Sequence, residues 1–383
     1  MIIFFTLCIA LILWVYIGYP LFLLMITRLT KGEPVQHAPI TPPVTLIISA
    51  YNEGEIIRAK IENSLALDYP CELLEVIVVS DSSDDDTEAI TGEYANRGVH
   101  LLRMEKRGGK TLGLNAAVPQ AKGEIIVFSD ANAMYHRLAL RHLVRNFADP
   151  AVGCVTGESR YEIDATAADS TASENLYWRY ELALKKMETK TGSLVGGDGA
   201  IYAIRKSLFR PMRPEDLSDF VNPLQIVAQG YRNVYEAEAW SFERGAESFE
   251  KEFRRKVRIV NRAWRGLWRV RQVLNPFRFG FYTIQVISHK LLRWLIPVFM
   301  AGAFTANFFL LNFGKLHQSV FALQIAFYVL AIIGWLQSPR SSIFKLFYVP
   351  YYFCLVNYAS LLGIIGNYRG QKFAVWNTVR EGK

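Results

Sequence analysis

The stretch Glu124-Ile-Ile-Val-Phe-Ser-Asp130-Ala-Asn132 decides the fold of the middle of this chain. Its apolar run, Ile125 to Phe128, stops abruptly at Ser129 and the acid Asp130. That pattern is typical of a buried parallel strand whose carboxyl end opens onto a ligand site. An aspartate there can hold a metal or a nucleotide ligand, but it can also cap the next helix. Both interpretations stay open on this stretch alone.

Three further apolar runs precede this one and share its design. They cover residues 44–49, 74–79 and 99–103, with helical patterns between them over residues 54–66, 87–96 and 107–118. Strands that alternate with short helices predict an α/β fold with a parallel sheet and helices on both faces. The polar clusters that follow the strands then meet at one edge, where such sheets bind ligands. No GxGxxG follows the first strand, so the sequence lacks the dinucleotide fingerprint.

Both ends of the chain are apolar. Uncharged runs cover residues 1–27, 294–314, 318–338 and 346–366, and each is about as long as the roughly 20 residues of a membrane-spanning helix. Arg28 and Lys31 follow the first run, which predicts a retained anchor and a cytoplasmic globular domain. We therefore expect a multi-pass protein of the plasma (inner) membrane.

These patterns divide the chain into six parts. We expect an anchor at residues 1–27, a linker at 28–43, a globular domain at 44–250, amphipathic helices at 251–284, about three membrane segments within 285–367, and a basic tail at 368–383. The helix after the domain has apolar residues at spacings of three and four, beside a stripe of arginines. It can lie in the membrane interface or pack, solvated, on the domain, and its tryptophans favour the interface.

Charge and cysteine usage exclude some classes of function. The net charge of +8 suits anionic substrates and an anionic membrane face. It does not indicate nucleic acid, because the basic residues lie beside membrane segments. The four cysteines show neither metal-ligand spacing nor a disulfide framework: Cys8, Cys71, Cys154 and Cys354.

Six stretches, in order, resemble the membrane-bound family 2 glycosyltransferases, which have a GT-A (Rossmann-like) fold and include hyaluronan-, chitin- and cellulose-synthase-like enzymes. The matching pieces are Ser49–Glu53, Val78–Thr87, Gly109-Lys110 with Asn115, Ser129–Asn132, Gly196–Arg205 and Leu217–Phe220. The resemblance covers residues 44 to about 265 and the flanking membrane segments. It implies an enzyme that uses a nucleotide-diphosphate sugar, with a UDP-sugar expected.

The resemblance also implies roles for the residues at the strand ends. Tyr51, Glu53 and Asp81 belong to the nucleotide pocket, where Tyr51 can stack on the base and the acids can accept hydrogen bonds. Lys110, at a helix start flanked by glycine, can bind the diphosphate. Packing for Tyr51, a solvated turn for the acids and an ordinary surface site for Lys110 are the alternatives.

Asp130 and Asn132 stand where the family keeps its DxD metal motif. There a divalent cation, Mg²⁺ or Mn²⁺, bridges protein and diphosphate. Asn132 replaces the second acid; its amide oxygen can still bind a cation, but it carries no charge.

Asp219 stands where the family places its catalytic base, which takes the proton of the acceptor hydroxyl. Asp216 and Asp198 are rivals, and Asp219 can instead cap a helix. The glycine-dense loop supplies the candidate acceptor residues Gly197, Asp198 and Gly199.

The family's QxxRW motif has no clean match; the nearest spacing lies around Arg258, which can contact the diphosphate. We expect an inverting transferase that moves one or a few sugars to a lipid-linked or polysaccharide acceptor at the membrane, in contact with membrane lipids. A processive synthase that translocates its product is one alternative, and a non-catalytic scaffold among other glycan-assembly proteins is another.

The basic tail conflicts with the number of apolar runs. One span before the domain and three after it put the C-terminus outside, whereas Arg369 and Lys372 favour the cytoplasm. We expect one run to be re-entrant or interfacial, and Pro350 makes the last run the candidate. Residues 376–380 can then lie near the active site as a gating segment.

Overall fold

The computed structural model describes residues 1–32, 34–162, 171–244, 249–337 and 344–375. Its centre is a sheet of eight strands: β1 (Val44–Ala50), β2 (Leu74–Ser80), β3 (Val99–Arg103), β4 (Ile125–Asp130), β5 (Met134–Tyr135), β6 (Val152–Glu162), β7 (Ile201–Arg205) and β8 (Arg232–Arg244). The order across the sheet is β3-β2-β1-β4-β7-β6-β8-β5. The strands predicted around residue 125 and upstream of it are confirmed to within two residues.

The first four strands form a parallel half-sheet. Strand β1 pairs with β2 and β4 in parallel, so that Ala50 lies beside Ser80 and Ser49 beside Asp130. All seven residues of β1 are buried, because helices cover both faces of this half. The polar residues that follow β1, β2 and β4 therefore meet at one edge, as the sequence predicts.

The other half of the sheet corrects the prediction of a parallel sheet. Strand β7 is antiparallel to both β4 and β6, β6 is parallel to β8, and β5 is antiparallel to β8. The sequence pattern does not predict strands β5 and β6. Two residues are too few to show a period, and β6 carries Gly153 and Gly157 among its polar residues, so it has no apolar run.

Fourteen helices in the described ranges surround the sheet and extend beyond it. They are α1 (Ile2–Leu13), α2 (Tyr19–Leu29), α3 (Ile57–Leu65), α4 (Thr87–Gly92), α5 (Lys110–Gln120), α6 (Ala139–Val144), α7 (Thr171–Thr191), α8 (Ser218–Ala228), α9 (Phe249–Arg269), α10 (Pro276–Phe279), α11 (Phe281–Val286), α12 (Leu292–Phe308), α13 (Lys315–Leu336) and α14 (Phe344–Tyr368). One buried cluster joins Ile47 and Phe128 to α5, α8 and α9. A second joins Leu46 and Ile48 to α3 and α6 on the opposite face.

Helix α9 is the predicted amphipathic helix, but protein covers most of its apolar stripe. Val260, Trp264 and Leu267 are buried in the cluster that includes α12 and α14 residues. Among the side chains of α9 that the structure describes, from Glu250 onward, Ile259 and Trp268 are the large apolar ones that remain exposed. The helix is therefore packed between the sheet domain and the apolar helices, and its contact with lipid stays a prediction.

Four helical stretches in the described ranges are long and apolar enough to cross a membrane. They are Ile2–Leu29, Phe281–Phe308, Lys315–Leu336 and Phe347–Tyr368. The first and second continue through one π-helical turn each, at Trp14–Gly18 and Ile287–Leu291. These stretches match the apolar runs predicted at the two ends, while the exact boundaries of the six predicted parts stay predictions.

Candidate active site

Loops with unusual backbone geometry follow β1 and β2 at the edge of the sheet. Asn52 and Ser82 both have positive φ, at 51° and 58°, which is uncommon for residues other than glycine. Hydrogen bonds between the loops hold them there: the Asn52 side chain accepts from the Asp84 amide at 3.0 Å, and the Glu53 amide donates to Thr87 Oγ1 at 2.8 Å. Such strain is concentrated at functional sites, because the surroundings must maintain it.

Asp81 is almost fully buried and holds a glycine loop. Its Oδ1 accepts from the Gly108 amide at 2.7 Å and its Oδ2 from the Gly109 amide at 2.8 Å. Gly109 has φ of 86°, which favours glycine, and helix α5 begins at the next residue. Asp81 thus fixes the start of α5; direct contact of its carboxylate with a nucleotide stays a prediction.

Tyr51 lies against the same loop. The Arg107 guanidinium lies 3.6 Å from the centre of the Tyr51 ring, and the ring is buried. A base that stacks on this ring from the side of Arg107 must displace the guanidinium, whose stacking is itself worth about 1 kcal/mol. The predicted stacking role of Tyr51 therefore also involves Arg107, to which the sequence pattern assigns no role.

Lys110 joins three parts of the site. Its ammonium forms an ion pair with Asp130 Oδ1 and donates to the Gly199 carbonyl at 2.8 Å. These contacts bring together the N-terminus of α5, the carboxyl end of β4 and the loop before β7. The structure thus places a cation at a helix N-terminus, an arrangement that suits a diphosphate.

Asp130 and Asn132 offer oxygen atoms that are still available to a cation. In the described part of the chain, Asp130 Oδ2 and the Asn132 amide have no hydrogen-bond partner. No group of three or more histidines, cysteines or acids that could hold a metal occurs among the described residues. A divalent cation held by one carboxylate and one amide would take its further ligands from a diphosphate, as divalent cations in phosphate-transfer sites commonly do.

Asp219 lies in the first turn of α8, facing the glycine loop. A Cβ at Gly199 would lie 3.4 Å from Asp219 Oδ2, and one at Gly197 would lie 2.8 Å from the Asp219 carbonyl. At Gly197 that distance is too short for a Cβ, so only glycine lets this part of the loop approach Asp219 so closely. Burial raises the pKa of Asp219, while the nearby Lys110 ammonium lowers it, and the net change is upward. A half-buried carboxylate with a raised pKa beside Lys110 is suited to accept a proton.

The two rival acids have other contacts. Asp216 is fully buried and forms an ion pair with Arg269, and its Oδ2 also accepts from the Arg213 amide at 2.8 Å. Asp198 accepts from Ser159 Oγ at 2.7 Å and lies 3.7 Å from the Lys185 ammonium. Both acids therefore hold loops in place, whereas Asp219 directs its carboxylate toward Gly199.

Helix α9 brings arginines to the site. Burial and the neighbouring Arg255 guanidinium lower the pKa of Arg258, while the Asp130 carboxylate raises it. No hydrogen bond or ion pair to Arg258 occurs within the described ranges. Arg262, one turn later, donates to Thr111 Oγ1 at 3.0 Å and to the Asp216 carbonyl. Arg258 is thus a half-buried cation that is available to an anionic ligand.

The sequence pattern does not predict two titratable residues near Asp130. Lys60 is fully buried, donates to the Ala133 carbonyl behind the Asp130 loop, and burial lowers its pKa to about 7. Glu243 is the second-last residue of β8; burial and then the charges of Asp130 and Asp198 raise its pKa to about 8. In the sequence, the spacing of three residues between Lys60 and the apolar Ile57 is the one sign that Lys60 is buried. No such sign exists for Glu243.

The segment after α14 returns to this site. The Arg265 guanidinium donates to the Gln371 carbonyl at 3.0 Å, and a methyl group on Gly109 would overlap the Ala374 carbonyl. Residues 371–375 therefore lie over the glycine loop that Asp81 holds. The predicted gating segment, residues 376–380, lies outside the described residues.

The chain is similar in sequence to known glycosyltransferases. Residues 45–212 match the family model described as glycosyl transferase family 2. The chain is 27% identical over 199 residues to the poly-beta-1,6-N-acetyl-D-glucosamine synthase of Staphylococcus aureus (strain COL), covering 50% of this chain and 48% of that protein. It is 31% identical over 141 residues to the beta-monoglucosyldiacylglycerol synthase of Synechocystis sp., covering 33% and 29%. The chain thus spans about half the length, or less, of these curated relatives.

A solved structure extends the likeness to the whole fold. A mannosyltransferase from Pyrobaculum calidifontis, solved with GDP-Man and Mn²⁺, superposes with a TM-score of 0.72 at 22% identity. The match covers 96% of this chain and 100% of that one, so the two share their fold. Residues 45–212 therefore match glycosyl transferase family 2, and the chain has the fold of this mannosyltransferase.

Proposed function

We propose that this enzyme transfers a glycosyl group, with inversion, from a nucleotide-diphosphate sugar to a lipid-linked or polysaccharide acceptor at the membrane. One observation carries the proposal: Lys110, Asp130, Gly199 and Asp219 meet where the parallel strands end. A diphosphate-binding cation and a proton-accepting carboxylate then lie on two sides of one loop. The catalytic domain is proposed to face the cytoplasm of the inner membrane, where Arg28 and Lys31 favour its position.

The proposed reaction needs two functions from these side chains. Asp219 accepts the proton of the acceptor hydroxyl while that oxygen attacks the anomeric carbon. The bond between the anomeric carbon and the diphosphate oxygen breaks, and the nucleoside diphosphate leaves. Lys110 and Arg258 offset the charge that develops on the leaving diphosphate.

A divalent cation fits the oxygen atoms of Asp130 and Asn132 together with the diphosphate. Mg²⁺ or Mn²⁺, when bound, would stabilise negative charge on the leaving group. Since the protein offers one carboxylate and one amide here, the proposed cation binds with the donor rather than before it. Mn²⁺ in the mannosyltransferase that shares the fold supports this cofactor class.

A donor screen tests the proposal. Thermal-shift measurements on the full chain with UDP-, GDP- and dTDP-sugars, each with and without Mg²⁺ or Mn²⁺, should give stabilisation that needs a metal and donor together. Asp130→Asn should weaken this joint effect, whereas Glu105→Gln, an exposed acid at the same edge of the sheet, should not. Stabilisation by donor that is the same with and without metal in both variants would contradict the cation assignment.

Two acceptor classes follow from the relatives. The Staphylococcus aureus protein is named for a polymer and the Synechocystis protein for a glycolipid. The absent QxxRW motif supports transfer of one or a few sugars. Product length, measured by mass spectrometry after reaction with membrane lipid extract, separates this from processive synthesis: a ladder of long products would favour the synthase.

A further inference from the structure

Helix α14 is the last of the four stretches that are long enough to cross a membrane. We propose that it does not cross, but lies along the membrane surface on the side of the catalytic domain. The chain then crosses three times, and its C-terminal end returns to the catalytic side. This inference depends on helix contacts alone and not on the identity of donor or acceptor.

The second half of α14 runs beside α9. The rings of Phe253 and Tyr358 stack with centroids 5.8 Å apart. Further along both helices, the Asn261 side chain donates to the Gly363 carbonyl at 3.0 Å, and the Asn367 side chain donates to the Asn261 carbonyl at 3.2 Å. Contacts that advance in the same direction on both helices show that α14 and α9 lie side by side and parallel.

Helix α9 is itself fixed to the catalytic domain. Arg262 contacts Thr111 and the Asp216 carbonyl, and Arg269 forms an ion pair with the Asp216 carboxylate. These partners belong to α5 and to the loop before α8. The second half of α14 is therefore held at the domain, about one helix diameter away from it.

The first half of α14 begins on the same side of the helix bundle, the side of the domain. Gly334, near the end of α13, packs against Phe347 and Tyr351. Helix α13 begins at the opposite end of the bundle, where the Asn307 side chain of α12 donates to the His317 carbonyl at 3.1 Å. Helices α12 and α13 thus form a hairpin, and the end of α13 returns toward the domain before α14 begins.

The middle of α14 contacts the first span at its π-helical turn, Trp14–Gly18. The rings of Phe353 and Tyr16 have centroids 5.3 Å apart. One turn later, the Tyr19 hydroxyl donates to Glu188 of α7 at 2.6 Å. The two ends of α14 are therefore placed on the domain side of the bundle, and its middle lies one helical turn from a first-span residue that contacts the domain.

The residues that follow α14 give the strongest constraint. The Gln371 carbonyl binds Arg265, and Ala374 lies on Gly109 in the glycine loop. A helix of 22 residues that crossed the membrane would carry its end about 30 Å away from the side on which it began. Contact between Ala374 and Gly109 would then be impossible.

Charge and surface composition suit this position. Three crossings place the basic tail, with Arg369 and Lys372, on the cytoplasmic side together with Arg28 and Lys31. The exposed residues of α14 include Tyr358 and Tyr368, and tyrosine is enriched at membrane–water interfaces. The partner of this surface is the lipid leaflet on the catalytic side.

Cysteine labelling of the full chain tests the proposal. The exposed Cys71 on the catalytic domain is kept as a reference, and Cys8, Cys154 and Cys354 are changed to alanine. Asn312→Cys, in the exposed turn between α12 and α13, and Lys372→Cys, after α14, are then added singly. Each variant is treated with a membrane-impermeant maleimide in intact and in permeabilised spheroplasts.

We expect Asn312→Cys to react in intact spheroplasts, and Cys71 and Lys372→Cys to react only after permeabilisation. Reaction of Lys372→Cys in intact spheroplasts would overturn the proposal, and so would protection of Asn312→Cys there. A fluorescent protein fused after Lys383 gives a second measurement if a cysteine variant does not fold. It should fluoresce in the cytoplasm, whereas an active alkaline phosphatase fused at the same place would contradict the three-crossing arrangement.

Discussion

Asp219 combines two properties that its local sequence does not show together. Its local sequence fits a helix cap as well as a base, but in the structure the N-cap of α8 is Leu217. The structure adds the approach of Gly199 to its carboxylate and the nearby Lys110 ammonium. The proposed assignment of Asp219 as the base therefore depends on tertiary contacts, with the motif as its starting point.

The raised pKa of Asp219 predicts the pH dependence of the reaction. The base must be deprotonated, so kcat/KM should fall as the pH decreases through the pKa of Asp219. Since burial raises that pKa above the ordinary value of 3.8, the acid limb should lie above 3.8. Lys110→Ala should move the limb further upward, because the ammonium lowers this pKa. A limb at or below 3.8 in a pH–rate profile would exclude Asp219 as the titrating base.

Lys110 is predicted to contribute mainly to donor binding. Removing a charged hydrogen-bond donor to the diphosphate costs about 1.5–3 kcal/mol, which raises the Kd of the donor about tenfold to a hundredfold. Isothermal titration calorimetry of Lys110→Ala measures this change. Lys106→Ala is the matched control, since Lys106 is exposed on the same loop. Equal affinities of the two variants would argue against the diphosphate role.

At the scale of single residues, the sequence predicts those that follow apolar strands. Asp130, Asp81 and Lys110 meet as expected, because parallel strands deliver their carboxyl ends to one edge. Lys60 cannot be predicted in this way, since a lysine on a helix is ordinarily exposed. Its burial depends on the Ala133 carbonyl, which another element supplies.

At the scale of elements, α9 shows what an amphipathic pattern can predict about a helix and what it cannot. Its period predicts a helix with one apolar and one basic stripe, and both are present. The period cannot say what covers each stripe. Here α12 and α14 cover much of the apolar stripe, and the catalytic domain binds Arg262 and Arg269 of the basic one.

The ion pair between Arg269 and Asp216 is predicted to stabilise the attachment of α9. Arg269→Ala leaves the fully buried Asp216 carboxylate without its partner, which costs about 3 kcal/mol. We expect a decrease of several degrees in the apparent melting temperature of the detergent-solubilised chain. Arg271→Ala, an exposed arginine just after α9, should change it little. Equal melting temperatures for the two variants would show that the ion pair does not hold α9.

For the whole molecule, composition predicts a globular domain between apolar ends but not the path of the chain. The β5 and β6 strands and the antiparallel half of the sheet need long-range pairing that no local period encodes. The same holds for α14, whose length and apolar character fit a membrane span. Its contacts with α9 and the return of Ala374 to Gly109 instead support the interfacial position.

The central claim is that this chain transfers a sugar with Asp219 as the base. The most direct measurement compares the full chain and Asp219→Asn in lipid nanodiscs, recording release of nucleoside diphosphate with acceptor lipid extract and donor affinity by calorimetry. We predict that release falls about 10²–10⁴-fold in the variant, while the Kd of the donor changes less than about twofold. Undiminished release by Asp219→Asn, or loss of donor binding in it, would contradict the claim.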